Sequence, residues 1–282
     1  MMKKTVSLLG VLLTALLLLT GMKVEAAPGG GVDWTNGSGV LTGTGVGLPP
    51  NGANRIQGKI WARTAAIADA QRRLAEAANE VRVEGETTVK MNTLADDTVR
   101  TSVSATLKGA QIVSEKWNSE GYYEVTMQVP MFGVGSLAQA VIPKPEAPPI
   151  AFPAPQTTVP SPTAPSTTIT ITATGGYTGV VIDCRGLGLN TVMSPVIKDN
   201  SGVKLYGHQN LDYDMVIRDG MASYAHDMSQ ASRAGSNPLV IKAESLDDHN
   251  ANPVLSVTDG NRMLLENNSA GFLSKTAVVF LY

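Results

Sequence analysis

Acid–base or metal chemistry in this chain would start from three histidines, His208, His226 and His249. None stands three to five residues from another, so no H-x-x-x-H zinc pair can form on a helix. Two acidic clusters adjoin them. His208 precedes Asp212 and Asp214 in KLYGHQNLDYD, and Asp247-Asp248-His249-Asn250 forms a polar run between two apolar segments. Either could hold a cation that activates water for hydrolysis. The plainer readings are a helix entry, where Asp212 caps free amides, and a solvated turn. No nucleophile elbow G-x-S-x-G occurs. Ser38 and Ser136 neighbour glycines but lack its spacing.

A further pair, Asp183 and Arg185, closes the apolar run GVVIDC and enters DCRGLGLN. At the carboxyl end of a strand these side chains could face a ligand crevice. A structural turn with an internal Asp–Arg pair accounts for them equally well. Asp183 and Arg185 are therefore the candidate ligand-contact residues. No catalytic, cofactor-binding or metal-ligating residue is assigned, and no cofactor is expected. Cys184, the sole cysteine, lies inside the same apolar run, which suits a buried, inert thiol better than a reactive one beside Arg185. With one cysteine the chain forms no internal disulfide. The glycine-rich GSGVLTGTGVGLPP lacks both the spacing and the Lys-Ser/Thr of a phosphate loop. It reads as an extended edge strand leading to a Pro-Pro turn.

The elements that would position these groups follow from periodicity. A helix is expected from about Gln57 to Glu80. Ile60, Ile67, Leu74 and Val81 recur every seven residues beside Ala66, Ala70, Ala77 and Ala78, giving a narrow small-residue face suited to close packing on a sheet. Val99 to Lys108 alternates apolar with polar residues and reads as a strand, which Gly109 interrupts as a bulge and Ile112 to Trp117 continues. Asn118 to Gly121 then turns the chain into Tyr123–Val129, completing an antiparallel hairpin. Pro143 to Pro165 holds nine of the 16 prolines, so it cannot enter a helix or a sheet interior. It is expected to be an extended spacer holding two domains up to roughly 70 Å apart. Beyond it, continuous apolar runs at Gly179–Cys184, Leu239–Ala243, Val254–Val257 and Ala277–Leu281 alternate with helical patterns in Asp259–Asn267 and parts of Leu211–Ala234. That alternation indicates an α/β domain with a partly parallel, covered sheet. The expected class is α+β: a helix on an antiparallel sheet over residues 27–142, a Pro/Thr-rich linker over 143–174, and a small α/β domain over 175–282.

Lys3 and Lys4, the apolar Val6–Leu19 and the small residues at Ala26-Ala27 have the layout of a secretory signal peptide over residues 1–26. Without its Lys3, Lys4, Lys23 and Glu25, the chain keeps 19 basic against 23 acidic residues, a charge of −4. That balance argues against nucleic acid and anionic membranes as electrostatic partners. The expected location is the periplasm, or association with an outer membrane, without the cysteine a lipid anchor would need.

The residues GTGVGLPP, ARTAAIADAQRRLAEAANEVRVEGETTV, LKGAQIV and GYYEVTMQVPMFG carry a resemblance of Gly43–Val141 to the LPP-twenty lipoprotein family and, with it, to the N-terminal domain of flagellar assembly protein T. YTGVVIDCRGLGL, MSPVIKD, NPLVIKA and TAVVFLY look like a module found with such domains. The resemblance implies an exported envelope protein without catalytic residues. Its partners would be envelope or flagellar proteins, with self-association a further option and membrane contact only indirect. Sheet edges and the alanine face of the helix are the expected docking elements. The alternative is a binding module for a glycan or small ligand around Asp183 and Arg185.

Overall fold

The structure, a computed structural model, describes residues 29–34, 39–160 and 168–282. The expected signal peptide and Ser38 lie outside the described residues.

The N-terminal half is a helix on an antiparallel sheet. Strands β1 (Gly30–Asp33), β2 (Val40–Gly47), β3 (Gln111–Trp117) and β4 (Tyr123–Pro130) lie in the order β1-β2-β4-β3. Helix α1 (Arg55–Glu80) crosses them, capped by Asn54, whose side chain accepts from the amides of Ile56 and Gln57. What seats it is a match of two periods. Gly43, Gly45 and Gly47 face α1 every second residue of β2, while Ala62, Ala66 and Ala70 face β2 every fourth residue of α1. Two strand residues rise about 6.7 Å and four helical residues about 6.0 Å, so the two ladders stay in step. A Cβ on Gly43, Gly45 or Gly47 would fall 2.7, 2.1 or 2.0 Å from backbone atoms of α1. The glycine stretch is therefore an inner strand gripped by the helix, not an edge strand. Where β1 stops pairing, the Val46 amide donates instead to the Asp69 carboxylate of α1 at 3.1 Å.

The buried face of α1 differs from the heptad expectation. It runs through Gly58, Ala62, Ala66, Ala70, Leu74, Ala77 and Ala78, while Ile60 is 58% exposed. The alanine face, expected to dock partners, is already covered by the sheet. A second difference is α3 (Asp97–Lys108), which follows the short α2 (Val89–Ala95) and stands where a strand was expected. A ten-residue alternation also contains every fourth residue, and Val99, Val103 and Leu107 form that helical subset. Of the supposed inward set, Thr101 and Ala105 are exposed. The local signal that decides is Asp96, whose carboxylate accepts from the Thr98 and Val99 amides at 2.7 and 3.3 Å. Gly109 caps this helix, and the bulge lies between Ile112 and Ser114. The hairpin of β3 and β4 is as expected. A one-turn helix, α4 (Leu137–Val141), follows.

The C-terminal half is α/β. After the paired β5 (Thr158–Pro160) and β6 (Thr168–Thr170), strands β7 (Gly179–Asp183), β10 (Ser223–Ala225), β11 (Pro238–Lys242) and β14 (Val278–Leu281) form an all-parallel sheet in the order β10-β14-β7-β11. A smaller sheet holds β8 (Ile197–Asp199), β9 (Lys204–Tyr206), β12 (Ser245–Asp247) and β13 (Asn252–Leu255). Helices α5 (Tyr213–Asp219) and α6 (Val257–Ala270) complete it. Strands β7 and β14 bury continuous apolar runs, as covered parallel strands do, whereas the edge strand β11 buries alternate residues and leaves Val240 51% exposed.

The halves are not held apart. One core cluster runs through Leu41, Leu74 and Phe132 of the first half and Ile182, Val216 and Tyr224 of the second. Met193 and Ser194 donate their amides to the carbonyls of Arg82 and Val83 at 3.0 and 2.8 Å, and Gly133 donates to Ile217 at 2.7 Å. Trp34 meets Tyr224 edge-on at 5.5 Å. Over its described residues, 143–160, the proline-rich segment is a strap rather than a spacer. Ile150 donates its amide to Gln209, Phe152 stacks flat on Tyr206, and the Gln156 amide reaches Asn261. Proline fixes it as extended chain, and its remaining donors and Phe152 pin it to the C-terminal half.

Candidate functional site

The structure joins two clusters that are separate in sequence. A cavity of about 190 Å³ at the junction of the halves is lined by His208, Asp248, Lys198, Lys204 and, from the first half, Glu84. His208 opens a 3-10 turn directly after β9. Lys198, on β8, is paired with Asp247. Asp248 belongs to a feature the sequence did not reveal: Asp248, His249 and Asn250 have φ of 50°, 56° and 62°, three consecutive left-handed residues. Asp and Asn tolerate that region better than most. The turn is held by Asn190, which donates from its backbone to the Asn250 carbonyl and from its side chain to that of His249, both at 2.8 Å. Gly85 rests against it, since a Cβ there would fall 2.2 Å from the Asp248 Cγ. The expected solvated loop is a left-handed turn in which Asp247, His249 and Asn250 stay exposed, while Asp248 packs against Gly85 at the junction. Its His249 side chain points to solvent, 3.5 Å from Asp248.

Asp212 does what its sequence context suggested: its carboxylate caps α5 by accepting from the Met215 amide at 3.0 Å, and Asp214 sits in that helix's first turn. Among the described residues, no three His, Cys, Asp or Glu side chains gather where a metal ion could be held.

Asp183 and Arg185 stand at the carboxyl end of β7, in the middle of the parallel sheet. The Arg185 guanidinium donates to the Asp183 carboxylate at 2.9 and 2.7 Å, and the Arg185 amide donates to it at 3.1 Å. These contacts hold the Asp183 carboxyl below the usual carboxylate range, the Arg185 side-chain bond first and against the effect of burial. Arg185 is half exposed, so the pair itself contributes little stability. Of the two readings, the internal Asp–Arg pair describes the geometry. Between them Cys184 is fully buried, and burial, with the Asp183 charge, pushes its thiol up to about 12.

Sequence reasoning missed two charged residues, the half-buried Arg233 and the buried Glu266. Arg233 donates to the carbonyls of Asp219, Gly220 and Thr276 at 2.7, 2.6 and 2.7 Å and to the Thr276 hydroxyl at 2.8 Å. It thereby satisfies the open C-terminal end of α5. Glu266, 1% exposed on α6, accepts from the amides of Thr174 and Gly175 and from the Thr174 hydroxyl at 2.7, 2.8 and 2.8 Å. Burial raises its carboxyl, and these hydrogen bonds outweigh that and leave it lowered. His226 lies over Tyr282 with ring centroids 4.6 Å apart.

No helix among the described residues is long and apolar enough to cross a membrane. No curated protein matches the chain. Residues 179–282 match the family described as the second domain of Treponema pallidum Tp0624. The C-terminal half of the chain is thus similar to that second domain.

Proposed function

We propose that this chain is an exported envelope protein that acts through surface contacts, as a structural or assembly factor of the outer envelope or flagellum, and carries out no reaction of its own. The observation that supports the reading most is the apolar surface left open at the free end of the N-terminal half. Leu48, Ile56, Ile60 and Trp61 are 71%, 73%, 58% and 54% exposed. Contiguous exposure of large apolar groups marks an interaction site. The resemblance of residues 43–141 to LPP-twenty proteins adds support. Deleting the gene is expected to impair motility or detergent resistance, and complementation with an Ile56→Gln/Ile60→Gln chain should fail. Normal swimming and normal detergent resistance in the deletion strain would refute the proposal.

The junction cavity favours a second reading, a binding module for a small ligand. Its lining is polar, with Lys204 and His208 facing Glu84 and Asp248 beside the Lys198–Asp247 pair, which suits a polar glycan fragment. Beside it the buried Asn210 Oδ1 has no hydrogen-bond partner. Thermal shift of the full chain with cell-wall fragments tests this. A shift that a Lys204→Gln variant loses supports it, and no shift with any fragment removes it.

A further inference from the structure

We propose that the free end of the N-terminal half docks into the interfacial layer of an anionic lipid bilayer. The inference rests on the contact reading above and supplies its partner.

The geometry begins with α1. Its 26 residues span about 39 Å, and its carboxyl end runs into the junction through Arg82 and Val83. Its amino end overhangs the sheet. Gly47, the last residue of β2, is level with Ala62 and pairs with Tyr123, which in turn pairs with Trp117. Residues 55–61 therefore project past the sheet's edge with Leu48, and Trp117, the last residue of β3, borders them. Trp117 is 36% exposed, and Lys59 lies 5.0 Å from its ring centroid. The result is a convex apolar tip, two tryptophans among Leu48, Ile56 and Ile60, at the end farthest from the C-terminal half.

Charge selects the occupant. The first turn of α1 carries no acidic residue, and Arg55, Lys59 and Arg63 precede its first carboxylate, Asp69. That is the reverse of what the helix dipole favours. Arg63 is neutralised by Glu115, and Lys116 by Glu124. Arg55 and Lys59 have no ion-pair partner among the described residues, with Glu120 of the adjacent turn the remaining acidic group. Tryptophan at the headgroup level, aliphatic groups below it and Lys or Arg reaching up to phosphate is how interfacial elements are built. The tip is convex, so it fits a deformable surface. A second copy would bring Arg55 and Lys59 against their own kind. The acidic balance of the whole chain does not oppose this, because charges more than about 8 Å from the surface are screened at physiological salt.

The full chain is mixed with vesicles containing phosphatidylglycerol and brominated phosphatidylcholine, and tryptophan quenching is read, since bromine reports on rings within the bilayer. Quenching is expected on the anionic vesicles, fading with salt. Trp61→Phe should remove much of it, which ties the signal to the tip rather than to the apolar residues 6–19. Arg55→Gln/Lys59→Gln should weaken tip binding by about 30-fold, at roughly fivefold per cation. Ile56→Gln/Ile60→Gln should abolish it, with the circular dichroism spectrum unchanged. No quenching on anionic vesicles, quenching that Trp61→Phe leaves intact, or self-association that buries Trp61 would overturn the proposal. If quenching fails while the deletion strain keeps its envelope defect, the lipid partner falls and the contact reading stands.

Discussion

Gly45→Ala puts one methyl group where α1 meets β2. The new Cβ would fall 2.1 Å from the Ala70 amide nitrogen, 2.5 Å from the Ala66 carbonyl oxygen and 2.6 Å from the Asp69 carbonyl carbon. All three are main-chain atoms, so no side-chain rotation relieves the clash, and α1 must retreat by more than roughly 1 Å. Overpacking of this kind costs about 1–3 kcal/mol. The retreat also stretches the hydrogen bond from the Val46 amide to the Asp69 carboxylate, and bonds to charged groups contribute about 1.5–3 kcal/mol. The stiffer unfolded chain returns about 0.4–1 kcal/mol. The net loss is about 3 kcal/mol, a large share of the 5–15 kcal/mol of a typical domain. Urea unfolding followed by circular dichroism measures it as a lower midpoint at unchanged slope. Gly31→Ala is the control: nothing lies within 4 Å of its Cβ position, and it should lose nothing. A Gly45→Ala midpoint within about 0.5 kcal/mol of the native chain would refute the reasoning. So would rescue by Ala66→Gly, which deletes a side chain the clash does not involve.

Arg233→Met removes the donor shared by three carbonyls and is expected to cost about 3 kcal/mol in urea unfolding, with Arg233→Lys recovering only part, because an ammonium cannot fork across them. Glu266→Gln should cost about 1–3 kcal/mol at neutral pH. Because the folded Glu266 carboxyl is lowered below its ordinary 4.5, its stabilisation is complete above that pH and lost as pH falls through the folded value, so native and variant stabilities should converge in acid. Cys184, with its thiol at about 12 and no exposure, should react with a maleimide only as the chain unfolds, at a rate that tracks urea concentration. Phe132 packs on Gly220 across the junction, and Phe132→Ala should cost about 3–5 kcal/mol while keeping a single unfolding transition. Two separate transitions in the native chain would contradict the shared core.

Much of the fold was legible because burial leaves a pattern. The hairpin of β3 and β4, the parallel strands and α6 each show the period or apolar run their surroundings demand. The errors have physical sources. Period two contains period four, so Val99–Lys108 matched a strand until its Asp96 cap is weighed. On α1 the heptad through Ile60 and Ile67 points away from the buried face, since close backbone contact selects the smallest residues. The proline strap was misread because composition reports stiffness and says nothing of what the chain lies against. The junction pocket was hidden for a related reason: Glu84, His208 and Asp248 come from three distant segments, and only their packing brings them together.

The glycine–alanine ladder also changes what the protein can transmit. In most helix–sheet contacts, side chains can repack and let a helix slide. Here main chain meets main chain at Gly43, Gly45 and Gly47, and a slide of α1 by one residue would bring bulkier side chains against the strand. The tip and the junction are therefore two ends of one strut of about 39 Å, and the strap and shared core leave no hinge between that strut and the C-terminal half. A surface bound at Arg55–Trp61 then fixes the position and orientation of the parallel sheet, whereas two folds on a spacer would leave it free. It follows that Gly45→Ala, which touches no tip residue, should weaken docking as well as stability. A stabilising substitution far from α1 should restore the stability and leave the docking impaired.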